Sequence, residues 1–264
     1  MPSQDLETRY IAARAIAQEV GEMALDYFRS WADLTVEIKG HQDFVSEADR
    51  NVELAVRAKL ARAFPDDGIV GEEGAAVLGT SGYTWVIDPV DGTTNFINGI
   101  AQWCVILACV FQGQVVIGVV HDPVHNELHH AVLGGGAFCN DRAIRCSPKT
   151  SLQEGSLGVG FSGRTHGDGI QRLAALCGAA GTMFWRNGSG GLSLAYVASG
   201  RILGYVEEHM NAWDFMAGHL LVSEAAGIIE PVDIEHALVH GGRVVVASAG
   251  VYDATKALAE AAFS

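Results

Sequence analysis

The chain has 264 residues, 49% of them apolar, and a formal net charge of −14. That is enough apolar material for a sizeable core, and it excludes disorder and a nucleic-acid backbone as principal partner, which would need clustered Lys and Arg. The longest apolar run, Trp103 to Phe111, falls far short of the roughly 20 residues of a spanning helix, and no secretion signal opens the chain.

The first element is a predicted helix, with Leu6, Tyr10, Ala13, Ala17, Val20, Ala24, Phe28 and Trp31 at helical steps. Trp31 to Lys39 reads as extended. Ser46 and Asp49 resemble a capping box that starts a second helix, whose apolar face is Val52, Val56, Leu60 and Phe64. Asp49 can serve as a first-turn acid alone, or it can lie near further carboxylates. Phe64-Pro65-Asp66-Asp67-Gly68 stops that helix, and Ile69-Val70 leads into Gly71-Glu72-Glu73-Gly74. This loop is either simply solvated or a place where glycines let a ligand approach two acids.

The next stretch, Trp85-Val-Ile-Asp-Pro-Val-Asp-Gly-Thr-Thr-Asn-Phe96, organises the chain. A strand from Tyr83 to Ile87 ends at Asp88, Pro89 stiffens the bend, Asp91-Gly92 turns, and Thr93-Thr94-Asn95 suits a helix start. Asp-Pro-x-Asp-Gly also describes an ordinary surface turn. Two carboxylates beside a helix N-terminus suit a divalent cation with a bound phosphate, because hard cations take oxygen ligands and helix N–H groups take anions.

Strands follow at Cys104–Phe111, Val115–Asp122 and Glu127–Val132, reading as an antiparallel meander. Gly134-Gly135-Gly136 lacks the Lys-Ser/Thr ending of a P-loop. Asn140-Asp141 gives a hairpin turn. His121, His125, His129 and His130 lie along these strands without His-Glu-x-x-His spacing and read as surface or hairpin histidines with no metal role. Cys104, Cys109, Cys139, Cys146 and Cys177 form no Cys-x-x-Cys and read as reduced thiols of a cytoplasmic protein.

Pro148 to Gly155 reads as a seam between lobes of about 1–150 and 151–264 that form one rigid unit. Beyond it, strands (156–161, 182–185, 202–206, 227–229, 244–247) alternate with helices (170–178, 192–198, 213–226, 252–263), an α/β pattern following an α+β first half. Asn211-Ala-Trp-Asp214 opens one of these helices and Gly227 reads as its C-cap. Asp214 is either a favourable first-turn acid or a carboxylate delivered to a distant cluster, and Glu207 ends the preceding strand.

Four blocks in this order resemble the inositol monophosphatase family: Asp43-x-Val45-Ser46-x-x-Asp49, Gly71-Glu72-Glu73, Trp85 to Phe96, and Trp213-Asp214 with Ala217-Gly218. The resemblance covers nearly the whole chain; Ser46 replaces the commoner Thr, and Asn211 stands where some members have His. It implies a layered α-β-α-β-α sandwich, a homodimer, and hydrolysis of a small phosphate monoester by metal-activated water. By the same resemblance, Glu72, Asp88 and the carbonyl of Val90 hold a first Mg²⁺. Asp88, Asp91 and Asp214 hold a second, and a third, weaker one sits on Glu72. Glu72 and Thr93 activate the water, with Asp49 bonded to Thr93. Gly92 and Thr93 bind phosphate, while Glu207 and Gly188-Ser189-Gly190 line the alcohol side. Inositol 1-phosphate is the leading substrate. Histidinol phosphate, whose ammonium would suit Glu207 and Glu208, is the runner-up, ahead of fructose 1,6-bisphosphate and 3′-phosphoadenosine nucleotides. A non-catalytic cation-binding module or an interaction protein stands outside the enzyme class.

Overall fold

The computed structural model describes residues 4–40, 43–161 and 168–264, with backbone alone for residues 38–40 and 43. In chain order the helices and strands are α1 (Gln4–Arg29), β1 (Val36–Gly40), β2 (Asp43–Ser46), α2 (Glu47–Ala63), β3 (Gly68–Gly71), β4 (Tyr83–Asp91), α3 (Thr93–Phe96), β5 (Cys104–Phe111), β6 (Gln114–Asp122), β7 (Glu127–Val132), β8 (Gly136–Cys139) and β9 (Arg142–Ala143). There follow β10 (Ser156–Val159), α4 (Gly169–Ala180), β11 (Met183–Trp185), α5 (Gly190–Ala198), β12 (Gly204–Met210), α6 (Ala212–Glu224), β13 (Gly227–Ile229), α7 (Ile234–His240), β14 (Gly242–Ser248) and α8 (Tyr252–Ala262).

Strand alternation sends successive side chains to opposite sides of a sheet, and here it builds layers. A seven-stranded sheet runs in the order β3-β4-β5-β6-β7-β8-β9, and a five-stranded sheet in the order β11-β10-β12-β14-β13. One side of the larger sheet, with Trp85, Ile87, Leu107 and Val119, packs on α1 and α2 through Ala13, Ala17, Val52 and Val56. Its other side, with Val86, Ile106 and Val120, shares a core with α5, α6 and the inner face of β12 and β14. The outer face of the smaller sheet, through Leu157, Val206 and Val245, is covered by Leu173 of α4 and Ala259 of α8. The result is the expected α-β-α-β-α sandwich. No helix among the described residues is long and apolar enough to cross a membrane.

Three local expectations need correction. The histidines are not all at the surface: His125 is exposed, but His121, His129 and His130 are buried. Their alternation along β6 and β7 carries them into both cores. His121 donates from Nδ1 to the Ala17 carbonyl, and His130 accepts the Tyr10 hydroxyl at Nδ1 while donating from Nε2 to Asn140. The end of α6 is set by Ala226, which takes the left-handed backbone (φ 63°), not by Gly227. Gly227 is needed for close approach instead, since a Cβ there would stand 2.5 Å from Val222 Cγ1 and 2.7 Å from Cys146 Sγ. Residues 202 and 203 precede β12, which runs on to Met210, and α7 has no counterpart among the predicted elements. It is too short to establish a helical period in sequence.

Gly118 of β6 lies against α6, where an added Cβ would stand 2.5 Å from the Ala217 carbonyl oxygen. Neither backbone can yield cheaply. Gly118→Ala should therefore destabilise the protein by about 1–3 kcal/mol, read as a lower urea midpoint at unchanged slope.

Candidate active site

The site grows from an irregularity in β4. Residues three apart on a regular strand point to opposite faces. Here Asp88 pairs with Ile106 and Asp91 with Cys104, so β4 spends one residue more than β5 over the same interval. This bulge at Pro89-Val90 turns both carboxylates to the side that faces α5 and α6, and it is where a strand tolerates proline. The Val90 N–H donates back to Asp88 Oδ1 at 3.0 Å, holding the bend.

Two helices begin where that face ends. Asp214, in the first turn of α6, accepts from the Asn211 N–H at 3.0 Å. Carboxylate oxygens of Asp88, Asp91 and Asp214 come within 4.8 Å of one another. Asp91 is also held by the start of α5, through the Ser189 hydroxyl at 2.5 Å, the Gly191 N–H at 2.7 Å and the Gly190 N–H at 3.2 Å. The Gly188-Ser189-Gly190 turn expected on the alcohol side thus spends donors on Asp91. Gly188 itself is exposed, with φ 82°.

A second polar chain approaches from α2. Asp49 closes the predicted capping box by accepting the Ser46 N–H at 2.8 Å and the Ser46 hydroxyl. Its other oxygen lies 3.2 Å from the Thr93 hydroxyl, which also reaches the Val90 carbonyl at 3.1 Å. Both readings of Asp49 hold at once. Gly92, with φ 97°, makes the turn into α3; a Cβ there would crowd the Gln102 carbonyl at 2.9 Å. Asp43 has its side chain outside the described ones.

The electrostatics are those of like charges forced together. Burial first, then the charges of Glu72, Asp91, Asp214 and Asp49, raise the Asp88 pKa well above the carboxylate range. The Glu72 carboxylate, half-buried after β3, therefore belongs to the same field. Burial likewise raises Asp91, against the bonds from Ser189, Gly191, Cys104 and Gly190, and raises Asp49 against those from Ser46 and Thr93. An all-oxygen cluster of acids, with Asp88 and Asp91 buried and Asp214 half-buried, is the donor set of a hard divalent cation, and these residues fit one.

Sequence reasoning missed what holds the Glu72 loop. Glu53, buried on α2, accepts the N–H groups of Glu73 and Gly74, each at 2.8 Å, and is itself gripped by Arg57. Its signal was present: Glu53 follows Asp49 by one helical turn, between the apolar Val52 and Val56. Glu208 does not join Glu207. A Cβ on Gly169 would stand 3.2 Å from Glu208 Oε2 and 3.0 Å from Phe263, which places Glu208 on the outer side, toward α4 and α8. Strand alternation separates the two acids.

A model of the inositol monophosphatase family matches residues 5–263. The chain belongs to the inositol monophosphatase family. Like other members it is a phosphoric monoester hydrolase. It is 40% identical over 220 residues to an inositol-1-monophosphatase of Rhizobium meliloti, covering 82% of this chain and 79% of the relative. It is 36% identical over 252 residues to the Nus factor SuhB of Pseudomonas aeruginosa, covering 92% of each. An IMPase of Thermotoga maritima superposes with a TM-score of 0.85 at 30% identity, over 96% of this chain and 97% of that one. The monophosphatase architecture accordingly frames the acids described above.

Glu207, buried on β12, receives the Tyr205 hydroxyl at 2.5 Å. Burial raises its pKa to about 7; Tyr205 opposes the rise, and the charges of Asp214 and Asp91 add to it. The folded value lies above the ordinary 4.5, so the stability carried by protonated Glu207 is full in acid and lost as pH climbs through about 7. In chelated protein, the wild type should lose up to about 3 kcal/mol relative to Glu207→Gln between acid and alkaline pH. Denaturant unfolding across pH reads the difference.

Proposed function

We propose that this protein hydrolyses a small phosphate monoester with Mg²⁺ as cofactor, inositol 1-phosphate being the first substrate to test. The observation that carries the reading is the meeting of Asp88, Asp91 and Asp214 beside Glu72 and the Asp49–Thr93 pair. In this reading Glu72, Asp88 and the Val90 carbonyl would hold one cation, Asp88, Asp91 and Asp214 a second, and Glu72 a third, and such cations would supply charge neutralisation for phosphoryl oxygens and a more nucleophilic water at neutral pH.

The chain's own groups do the rest. Asp49 accepts the hydrogen bond of the Thr93 hydroxyl, which leaves the lone pairs of the hydroxyl oxygen free to accept from the attacking water and aim it. Glu72 accepts the proton that water loses as its oxygen bonds to phosphorus. The bond from phosphorus to the alcohol oxygen breaks on the opposite side, its electron pair stays on that oxygen, and the alkoxide takes a proton from solvent water to leave as the alcohol. N–H groups of Gly92 and Thr93 hold phosphate oxygens through that charge redistribution. Ser189 and Gly190 act through Asp91, while Gly188 and Glu207 border the alcohol.

Inositol 1-phosphate is preferred to histidinol phosphate because Glu208 points away from the cleft. Arg186 already opposes the charge of Glu207, so an ammonium group finds a single carboxylate that is partly answered. Relatives of comparable similarity are named Nus factor SuhB, so a role besides hydrolysis is a second reading. The full acid set supports hydrolysis in this chain whether or not that role is shared.

The same reading includes a homodimer and a cytoplasmic location. The edge strand β11, with exposed Met183 and Phe184, supports the first, and five cysteines without a disulfide support the second.

Asp91→Asn and Asp214→Asn should each abolish Mg²⁺-dependent phosphate release, by about a thousandfold or more, with unchanged far-ultraviolet dichroism. Near-normal turnover at saturating Mg²⁺ would overturn the metal assignment. For the wild type, kcat/KM on inositol 1-phosphate should exceed that on histidinol phosphate; the reverse order would move the substrate assignment while leaving the chemistry.

A further inference from the structure

The larger sheet carries a second group of metal-binding side chains, three strands from β4 in the sheet order. Glu127 and His129 are alternate residues of β7, and His129 pairs across the ladder with Cys139 of β8. All three therefore leave the sheet on one side. Their ligand atoms, a carboxylate oxygen, a ring nitrogen and a sulfur, lie within 4.8 Å of one another.

His129 is the telling member. It is 0% exposed, and neither ring nitrogen has a hydrogen-bond partner among the described residues. By contrast His121 on β6 bonds through Nδ1 to Ala17, and His130 on β7 bonds through both ring nitrogens. An imidazole left so bears a desolvation cost that nothing visible repays, and an ion is one ordinary remedy. Burial also holds its pKa down to about 4, in the neutral form that binds metals. Glu127 is already fixed. Arg201 grips its two oxygens at 2.5 and 2.7 Å and stacks over Tyr196. Each carboxylate oxygen keeps a further lone pair for a metal.

We propose that Glu127, His129 and Cys139 bind a transition-metal ion of the zinc class, separate from the carboxylate cluster. Sulfur and imidazole donors select Zn²⁺ over Mg²⁺, which favours oxygen alone. Zinc bonds of 2.0–2.3 Å imply donor separations of roughly 3.3–3.8 Å, so the ligand atoms, now within 4.8 Å of one another, close by up to about 1.5 Å. Cys139 and Glu127 are half-buried, which leaves the fourth position to water. On binding, the Cys139 thiol releases its proton to solvent and its sulfur bonds the metal; no electron is transferred. One histidine nitrogen gains its partner, and β7 is tied to β8. This reverses the sequence-based view of His129, and it does not depend on the phosphatase reading.

The test uses the whole metal-free protein, with Mg²⁺ added to saturation so that the carboxylate cluster is filled. Titration with Co²⁺ should give one equivalent with a thiolate-to-cobalt charge-transfer band, which Zn²⁺ then displaces. Cys139→Ser should abolish the band and Glu127→Gln should weaken binding about tenfold or more, with dichroism verifying the fold of each. Cys104→Ser, which removes the thiol beside Asp91, should keep the band. Absence of the band in the wild type, its survival in Cys139→Ser, or its loss in folded Cys104→Ser would each overturn the proposal.

Discussion

Repulsion among buried carboxylates is the constraint this structure is built to withstand. Asp88, Asp91 and Asp214 are drawn together in a part of the protein from which water is largely excluded, with Glu72 and Asp49 adding to the field. Left alone, such a cluster takes up protons or pushes the elements apart. Hydrogen bonds already answer part of the charge. The start of α5 gives Asp91 two backbone donors and a hydroxyl, and the backbone at Asn211 gives Asp214 one. The positive ends of two helix dipoles lie in the same place. Among the described residues Asp88 accepts only from the Val90 N–H, and burial with four like charges around it raises its pKa well above the carboxylate range, a strain that a cation in the cluster would relieve.

The α2 side of the site is organised by the same logic at one remove. Asp49 spends one oxygen on the helix cap and offers the other to Thr93. One helical turn later, Glu53 spends both of its oxygens on the backbone that follows Glu72. Glycine makes the second contact feasible, since a Cβ on Gly71 would meet the Glu53 carboxylate at 2.7 Å. Two acids of one helix thus fix two different loops against β4. The chemistry of the cleft rests on α2 although α2 supplies no member of the three-acid cluster.

Much of this was legible in the sequence because it is local. The capping box at Ser46, the bend at Pro89 and the acid opening α6 each announce themselves within a few residues, and each appears where expected. The layers were legible because β5 and β6 are near-continuous apolar runs bounded by turns, as strands covered on both faces are. What escaped depends on register. Whether Asp88 and Asp91 share a face turns on one extra residue in a ladder, and no pattern within β4 reveals the position of Ile106 and Cys104 opposite. The burial of His129, the opposed directions of Glu207 and Glu208, and the attachment of Ser189 to Asp91 are likewise facts about partners distant in the chain.

The distance at which the central helices pack then becomes a property of the site. Gly218 of α6 faces Leu194 of α5 so closely that a Cβ would stand 2.4 Å from that side chain. Gly191 meets Ile106 of β5 at the same separation and Asp91 Oδ2 at 3.0 Å. Gly118 presses on Ala217 in the same way. These small residues let α5 and α6 descend onto the sheet, and the descent brings their first turns to the level of the bulge. A larger side chain at any of them would lift a helix and with it Asp214 or the donors to Asp91. Carboxylates that must share a cation tolerate little of that movement, because a cation's preferred bond lengths vary by only tenths of an ångström. Core packing between the sheets and the geometry of the acids are therefore one requirement, imposed on residues far apart in the chain.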